Sequence, residues 1–257
     1  MSHSCPSHSL DTRITLRIQH ATCICPADMV TEFEQIYIRW HWVHDYFKSQ
    51  KGAKVLRGRQ PLLLGTIAGR PILVKRLAHG GVLARLTRDR FLNTSFLDEH
   101  LRVVDRLREL DIPTPRVIFS TFRRENGFIR AEIGIDYIGP GMDTADLLFG
   151  KQGKKAAGWE QISRDIGRLV QRLHSIGFRH PDLNLMNFYR HSAGELHILD
   201  LIKSKPPEGK LSMLSLSRNL ARLMRSVRKL GRRFEPSYVE GICEGIIDGY
   251  RSTDAAR

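Results

Sequence analysis

The sequence predicts an α+β protein of two lobes: a small antiparallel sheet carrying one helix, then a mostly helical half. Three observations lead there. Apolar runs broken by Gly and Pro at 54–77, and alternating residues at 116–138, have the look of hairpins. Segments 95–110, 159–177 and 215–233 repeat apolar side chains at helical spacing. A chain of 257 residues is long enough for one large domain or two small lobes sharing a cleft.

The elements follow in order. Residues 1–30, rich in Ser, His and Pro at their start, are read as a flexible N-terminal segment. Residues 31–142 form the expected first lobe. In "KVLRGRQPLLLGTIAGRPILVKRL" the turn formers "AGR" separate strands, the last being "ILVKRL". "SFLDEHLRVVDRLREL" is helical, with Leu97, Leu101 and Val104 on one stripe, and "DIPTPR" ends it because proline cannot continue a helix. "RVIFSTF" and "FIRAEIGIDYI" then flank a turn and make a second hairpin. Residues 143–257 form the helical lobe. It opens with the amphipathic "WEQISRDIGRLVQRLHSIG", for which Gly177 is a stop. A later helix turns Leu216, Leu220, Leu223, Val227 and Leu230 inward and carries Arg218, Arg222, Arg225, Arg228 and Lys229 outside.

Bulk chemistry narrows the partners. Net charge is +14, from 41 Lys and Arg against 27 acids, so partners are expected to be anionic: nucleic acid, phosphorylated compounds or an acidic membrane surface. No apolar run approaches the roughly 20 residues of a spanning helix, and the opening residues lack the apolar core of a secretory signal. Four cysteines point to a reducing compartment rather than a disulfide framework. Cys23 and Cys25, with His20 nearby, match zinc-ligand spacing poorly.

The chemistry concentrates in "RHPDLNLMNFYRHSAGELHILDL", residues 179–201. A loop carries Asp182 and Asn187. The turn "HSAG" folds "ELHIL" back beside "FYR", which brings Asp200 close to Asn187. An amide oxygen beside a carboxylate suits a hard divalent ion whose other ligands are phosphate oxygens. Asp182 lies where it can accept a hydroxyl proton.

These residues resemble the protein-kinase-like superfamily. "HPDLNLMN" matches H-x-D-x-x-x-x-N, and "ILDLI" occupies the place of D-F-G. The resemblance implies a two-lobed protein-kinase-like fold that uses ATP and Mg²⁺. It implies Asp182 as catalytic base, Asn187 and Asp200 as metal ligands, and His180 as a structural residue of the loop. It makes Lys75 the strand lysine that holds nucleotide phosphates. Its partner is then a helix glutamate: at about 100° per residue Glu99 lies at the edge of the apolar stripe, whereas Asp98 points nearly opposite. Leu201 and Ile202 stand where Phe and Gly follow the metal aspartate, and Asn184 stands where protein kinases carry a lysine. "LRGRQPLLLG" is a poor match to the glycine-rich phosphate loop. No A-P-E follows Asp200, which favours a small or lipid-linked acceptor over a peptide.

A narrower resemblance rests on "KRLAHGGVLARLTRDRFL", "LRELDIPTPRV", "GFRHPDLNLMN" and "RNLARLMRSVRKL". They are similar to the bacterial 3-deoxy-D-manno-octulosonic acid (Kdo) kinases and the related lipopolysaccharide core heptose kinases. The resemblance implies phosphorylation of a Kdo hydroxyl on Kdo-lipid A, by a protein associated peripherally with the anionic cytoplasmic face of the inner membrane. Arg76, Arg85, Arg88 and Arg90, or the arginines of the later helix, are then candidates for meeting acidic groups of the acceptor. Two alternatives stay open: a kinase-like enzyme acting on protein or another small hydroxyl compound, and a catalytically weak pseudokinase that only binds. Nucleic-acid binding rests on charge alone and is not expected.

Overall fold

The computed structural model describes residues 12–56, 62–78, 89–150, 157–207 and 209–252. The chain divides into two compact units, Met1–Ser95 with Arg116–Tyr137, and Phe96–Pro115 with Ile138–Arg257.

The first unit is a seven-stranded antiparallel sheet in the order β1-β2-β6-β7-β5-β4-β3. The strands are β1 Arg13–Ile18, β2 Ala21–Pro26, β3 Lys54–Leu56, β4 Leu62–Ile67, β5 Arg70–Arg76, β6 Val117–Glu125 and β7 Phe128–Asp136. Both expected hairpins form, and both turns are two-residue loops with positive φ at each position: Ala68 at 49° and Gly69 at 74°, Asn126 at 49° and Gly127 at 79°. That backbone matches the right-handed twist of the flanking strands.

The expectation of a flexible 1–30 segment fails over its described part. Residues 13–26 form a hairpin whose second strand pairs with β6, Ala21 opposite Arg123 and Cys23 opposite Thr121. The cause is apolar alternation. Cys23 and Cys25 point to the same face and are 1% and 0% exposed, while Ile14, Leu16 and Ile18 pack beside them. The two thiols are core residues. Burial pushes the Cys23 thiol up, and His20 is exposed in the turn.

Two further helices, α1 Val30–Arg39 and α2 Val43–Ser49, belong to this core. Phe33, Tyr37 and Phe47 are buried with Ile72, Val74 and Phe119. Strand alternation gives the sheet two faces. Ile72, Val74 and Arg76 share the face with the helices, where Arg76 donates to Asp45 at 2.9 Å and lies 5.6 Å from the Trp42 ring centroid. Lys75 and its cross-strand neighbour Ile133 belong to the other face.

The second unit contains α3 Ser95–Glu109, α4 Thr144–Phe149, α5 Trp159–Ser175, α6 Met213–Leu230 and α7 Pro236–Arg251. It also holds a small sheet in the order β10-β9-β8, from β8 Gly141–Asp143, β9 Phe188–His191 and β10 Leu196–Ile198. Helix α3, expected in the first lobe, groups with this unit. The segment after it explains why. The Ile198 amide donates to the Pro113 carbonyl at 2.9 Å, Arg172 of α5 donates to the Asp111 carbonyl, and Arg108 donates to the Thr114 carbonyl at 2.8 Å.

Helices α5 and α7 approach through glycines. A Cβ on Gly249 would lie 2.1 Å from the Arg164 carbonyl oxygen, and one on Gly167 would lie 2.1 Å from that of Ile246. Neither obstacle is a side chain that can rotate away. Replacing Gly249 by Ala gains about 1 kcal/mol of helix propensity. Overpacking costs about 1–3 kcal/mol and here acts on backbone, so it wins. We expect Gly249→Ala to lower the thermal midpoint by several degrees, and an unchanged or raised midpoint would mean that the helices do not meet this closely.

Candidate active site

The loop between α5 and β9 is held from three helices by buried hydrogen bonds. Gly177 has φ 79° and ends α5 as expected. His174, in the last turn of α5, bonds through Nδ1 to the Tyr250 hydroxyl of α7 at 2.9 Å and through Nε2 to Asn219 Oδ1 of α6 at 3.0 Å. Asn219 then donates from Nδ2 to the His180 carbonyl at 2.8 Å. That bond fixes the amide: its oxygen faces His174, which therefore carries its proton on Nε2 and accepts from Tyr250 on Nδ1. Burial lowers the His174 pKa, in keeping with a neutral ring.

His180 extends this chain into the site. It is 1% exposed, accepts the Asp182 amide on Nδ1 at 3.1 Å, and is 2.9 Å from the Leu199 carbonyl through Nε2. The first bond makes Nδ1 the acceptor, so Nε2 carries the proton and donates. Burial lowers the His180 pKa against the opposing pull of its Leu199 hydrogen bond and of Asp200 and Asp182. One neutral ring thus ties Asp182 to the residue before Asp200, which is the structural role expected of it.

Asp182 is held at both ends of its carboxylate. Asn184 Nδ2 donates to Oδ2 at 3.1 Å and Arg222 of α6 donates to Oδ1 at 3.1 Å. The side chains of Arg222 and Asp182 are 48% and 46% exposed, so this ion pair adds under about 1 kcal/mol to stability. Its effect is on orientation and local charge. Asn184, standing where protein kinases carry a lysine, caps the short turn Leu185–Asn187 by accepting the Met186 amide at 2.9 Å. The positive charge comes instead from α6.

Asn187 is 8% exposed and donates from Nδ2 to the Asp182 carbonyl at 2.8 Å, which leaves Oδ1 as the oxygen it can offer. Its own carbonyl accepts the Leu199 amide at 2.8 Å, one residue before Asp200. The expected hairpin of β9 and β10 forms, with Ile198 opposite Phe188. Asp200 has φ 58°, a left-handed conformation that aspartate adopts more readily than most residues but still at a cost. Leu201, in the place of the expected aromatic, is 2% exposed in the core. The structure therefore brings Asp182, Asn187 and the strand end bearing Asp200 together in one unit. An amide oxygen and a carboxylate make an oxygen donor set that fits Mg²⁺.

Lys75 lies on β5 of the first unit, half-buried; Glu99 lies on α3 of the second, half-buried, with Asp98 exposed as expected from the helix geometry. Residues 57–61 of the candidate phosphate loop, with Arg85 and Arg88, lie outside the described residues, while Leu62–Gly65 at its end belong to strand β4, where Gly65 packs against the Phe47 ring. Arg76 is engaged by Asp45 and Trp42, and Arg90 lies 5.5 Å from the Phe128 ring centroid. On α6, Arg222 serves Asp182 and Arg228 is paired with Glu240 at 3.0 Å, so four equivalent arginines are not what the helix presents. Sequence reasoning missed His174, Asn219 and Tyr250. They come from three helices, and only their approach shows their task. Among the described residues no helix is long and apolar enough to cross a membrane.

An H-x-D-x-x-x-x-N loop bonded to the Leu199 backbone beside Asp200, in a chain of sheet unit and helical unit, is the arrangement of a protein-kinase-like phosphotransferase. A family model described as Lipopolysaccharide kinase (Kdo/WaaP) family matches residues 57–244, and the chain belongs to that family. A 3-deoxy-D-manno-octulosonic acid kinase of Actinobacillus succinogenes is 27% identical over 76% of this chain and 87% of its own. One of Stenotrophomonas maltophilia is 30% identical over 72% and 71%. One of Xylella fastidiosa is 30% identical over 62% of each, so the chain spans less than two thirds of that relative. Among solved structures, WaaP in complex with acyl carrier protein matches with a TM-score of 0.48 at 15% identity, over 85% of this chain and 97% of that one.

Proposed function

We propose that this chain transfers the γ-phosphoryl group of ATP to a hydroxyl of Kdo on the lipid A inner core, working peripherally at the cytoplasmic face of the inner membrane. The observation that carries this is Asp182, oriented at both carboxylate oxygens and joined through His180 to the strand end of Asp200, in a chain of the Kdo/WaaP family. Asp182 orients the acceptor hydroxyl and takes its proton. The acceptor oxygen forms its bond to phosphorus as the bond to the bridging oxygen breaks, and ADP leaves. Asn187, through Oδ1, and Asp200 would hold Mg²⁺, which neutralises phosphate charge when bound. Lys75 would bind nucleotide phosphate. Most of the acceleration then comes from positioning and charge neutralisation.

The net charge of +14 supports an anionic glycolipid reached electrostatically. The test offers radiolabelled ATP with Kdo-lipid A in one arm and generic protein substrates in the other. Label is expected on the glycolipid and to depend on Mg²⁺. Label on protein alone would move the assignment to another acceptor, and no transfer with no Mg²⁺-dependent nucleotide shift in melting would favour a pseudokinase.

A further inference from the structure

The exposed face of α6 next to Asp182 carries more positive charge than the protein itself uses. At about 100° per residue, Arg218, Arg222, Arg225 and Lys229 fall within a sector of roughly 60°. All four are exposed. Arg222 is the one that donates to Asp182. Arg218 and Arg225 have no acidic partner among the described residues, in contrast to Arg228 with its two bonds to Glu240. Arg218 stands one turn before Arg222, a rise of about 6 Å, and Arg225 stands about 4.5 Å beyond it. Whatever binds these two guanidinium groups therefore lies within a turn of the carboxylate that receives the proton.

From this we infer that Arg218 and Arg225 form the subsite for the acidic groups of the acceptor, gripping the carboxylate of the sugar acid whose hydroxyl faces Asp182. The inference deepens the proposed function and rests on it. Guanidinium suits the task because its planar fork matches a carboxylate with two parallel hydrogen bonds. Spacing favours the acceptor over the bilayer as occupant. A membrane patch needs only charge, anywhere on the surface, whereas this stripe is continuous with a residue already bonded to Asp182. Its far end meets exposed Leu214, about 12 Å along the helix from Arg222, with Met213 exposed beside it. That order, acid-binding then apolar, follows the polarity of an acidic sugar carried on a lipid.

The test measures binding without turnover. A soluble Kdo-terminated oligosaccharide is titrated into the full chain by calorimetry, without ATP, using wild type and the double variant Arg218→Gln/Arg225→Gln, each checked for an unchanged melting temperature. Tenfold or greater weakening is expected in the double variant. The acceptor methyl ester, which lacks the charge, should bind wild type weakly and show little further loss in the variant. Lys-for-Arg replacements at both sites should recover part of the affinity, as charge without the fork. Equal binding by wild type and variant overturns the subsite. So does unchanged oligosaccharide binding together with lost sedimentation on anionic phosphatidylglycerol vesicles, which would make the stripe a bilayer contact. Binding that follows the subsite pattern in a wild type that transfers no phosphoryl group would fail the proposed function alone.

Discussion

Asp182→Ala is expected to abolish phosphoryl transfer to the glycolipid while leaving the fold in place. A positioned general base contributes about 10²–10⁴ in rate, and a loss in that range is the minimum here. The residue is also the point at which Arg222 and Asn184 converge, so truncation leaves Arg222 without its bonded carboxylate beside the reacting groups. Stability should change little. The Asp182 side chain is 46% exposed and its ion pair is of the weak, solvated kind. The bonds that hold the loop run through the Asp182 backbone, whose amide meets His180 and whose carbonyl meets Asn187, and these survive the substitution. Single-turnover transfer and thermal melting, measured on the same preparation, separate the two claims. Full activity in the variant would remove Asp182 from the chemistry. A collapsed melting transition would mean that the loop depends on its side chain.

What the sequence disclosed and what it hid follow from range. The Asp182, Asn187 and Asp200 spacing is carried by one continuous segment, and its hairpin depends on a turn of four residues, so the arrangement could be read directly. The Ala68–Gly69 and Asn126–Gly127 turns were equally local. The N-terminal hairpin was not. Its partner β6 comes about 100 residues later, and the alternation of Ile14, Leu16 and Ile18 is short and follows a polar opening, too brief to mark a strand without that partner. The chain of Tyr250, His174, Asn219 and His180 joins residues up to 76 positions apart, and of these only His180 belongs to a spacing pattern. Arg222 was visible as one arginine among several. Only the bond to Asp182 separates it from Arg218 and Arg225, and that bond comes from how α6 crosses the loop.

The largest stability effect is expected at Glu132, a residue with no part in the proposed chemistry. It is 0% exposed on β7 and accepts the Val43 amide at 2.7 Å and the His44 amide at 3.2 Å. These are donors of the first turn of α2, whose own cap position, Trp42, supplies no side-chain acceptor. The carboxyl thus does from across the core what a local cap residue would otherwise do. Glu132→Ala leaves two buried donors without partners and a hole beside Tyr37, a loss of roughly 2–5 kcal/mol. Burial raises the Glu132 pKa to about 7, against the pull of the two backbone amides and of Arg76. The sign follows from linkage: the native state binds the proton more tightly than the unfolded chain, so this contribution is complete below about pH 4.5 and is lost as pH rises through about 7. The span corresponds to roughly 3 kcal/mol. Glu132→Gln keeps one acceptor and cannot ionise, so its unfolding free energy should lack that decline. Urea unfolding of wild type and Glu132→Gln at pH 5, 6, 7 and 8 should give a difference that changes with pH, the wild type losing ground to the variant as pH rises. A constant offset between the two would show that the carboxyl is ionised in the core throughout, held there by the α2 amides and Arg76 rather than neutralised by burial.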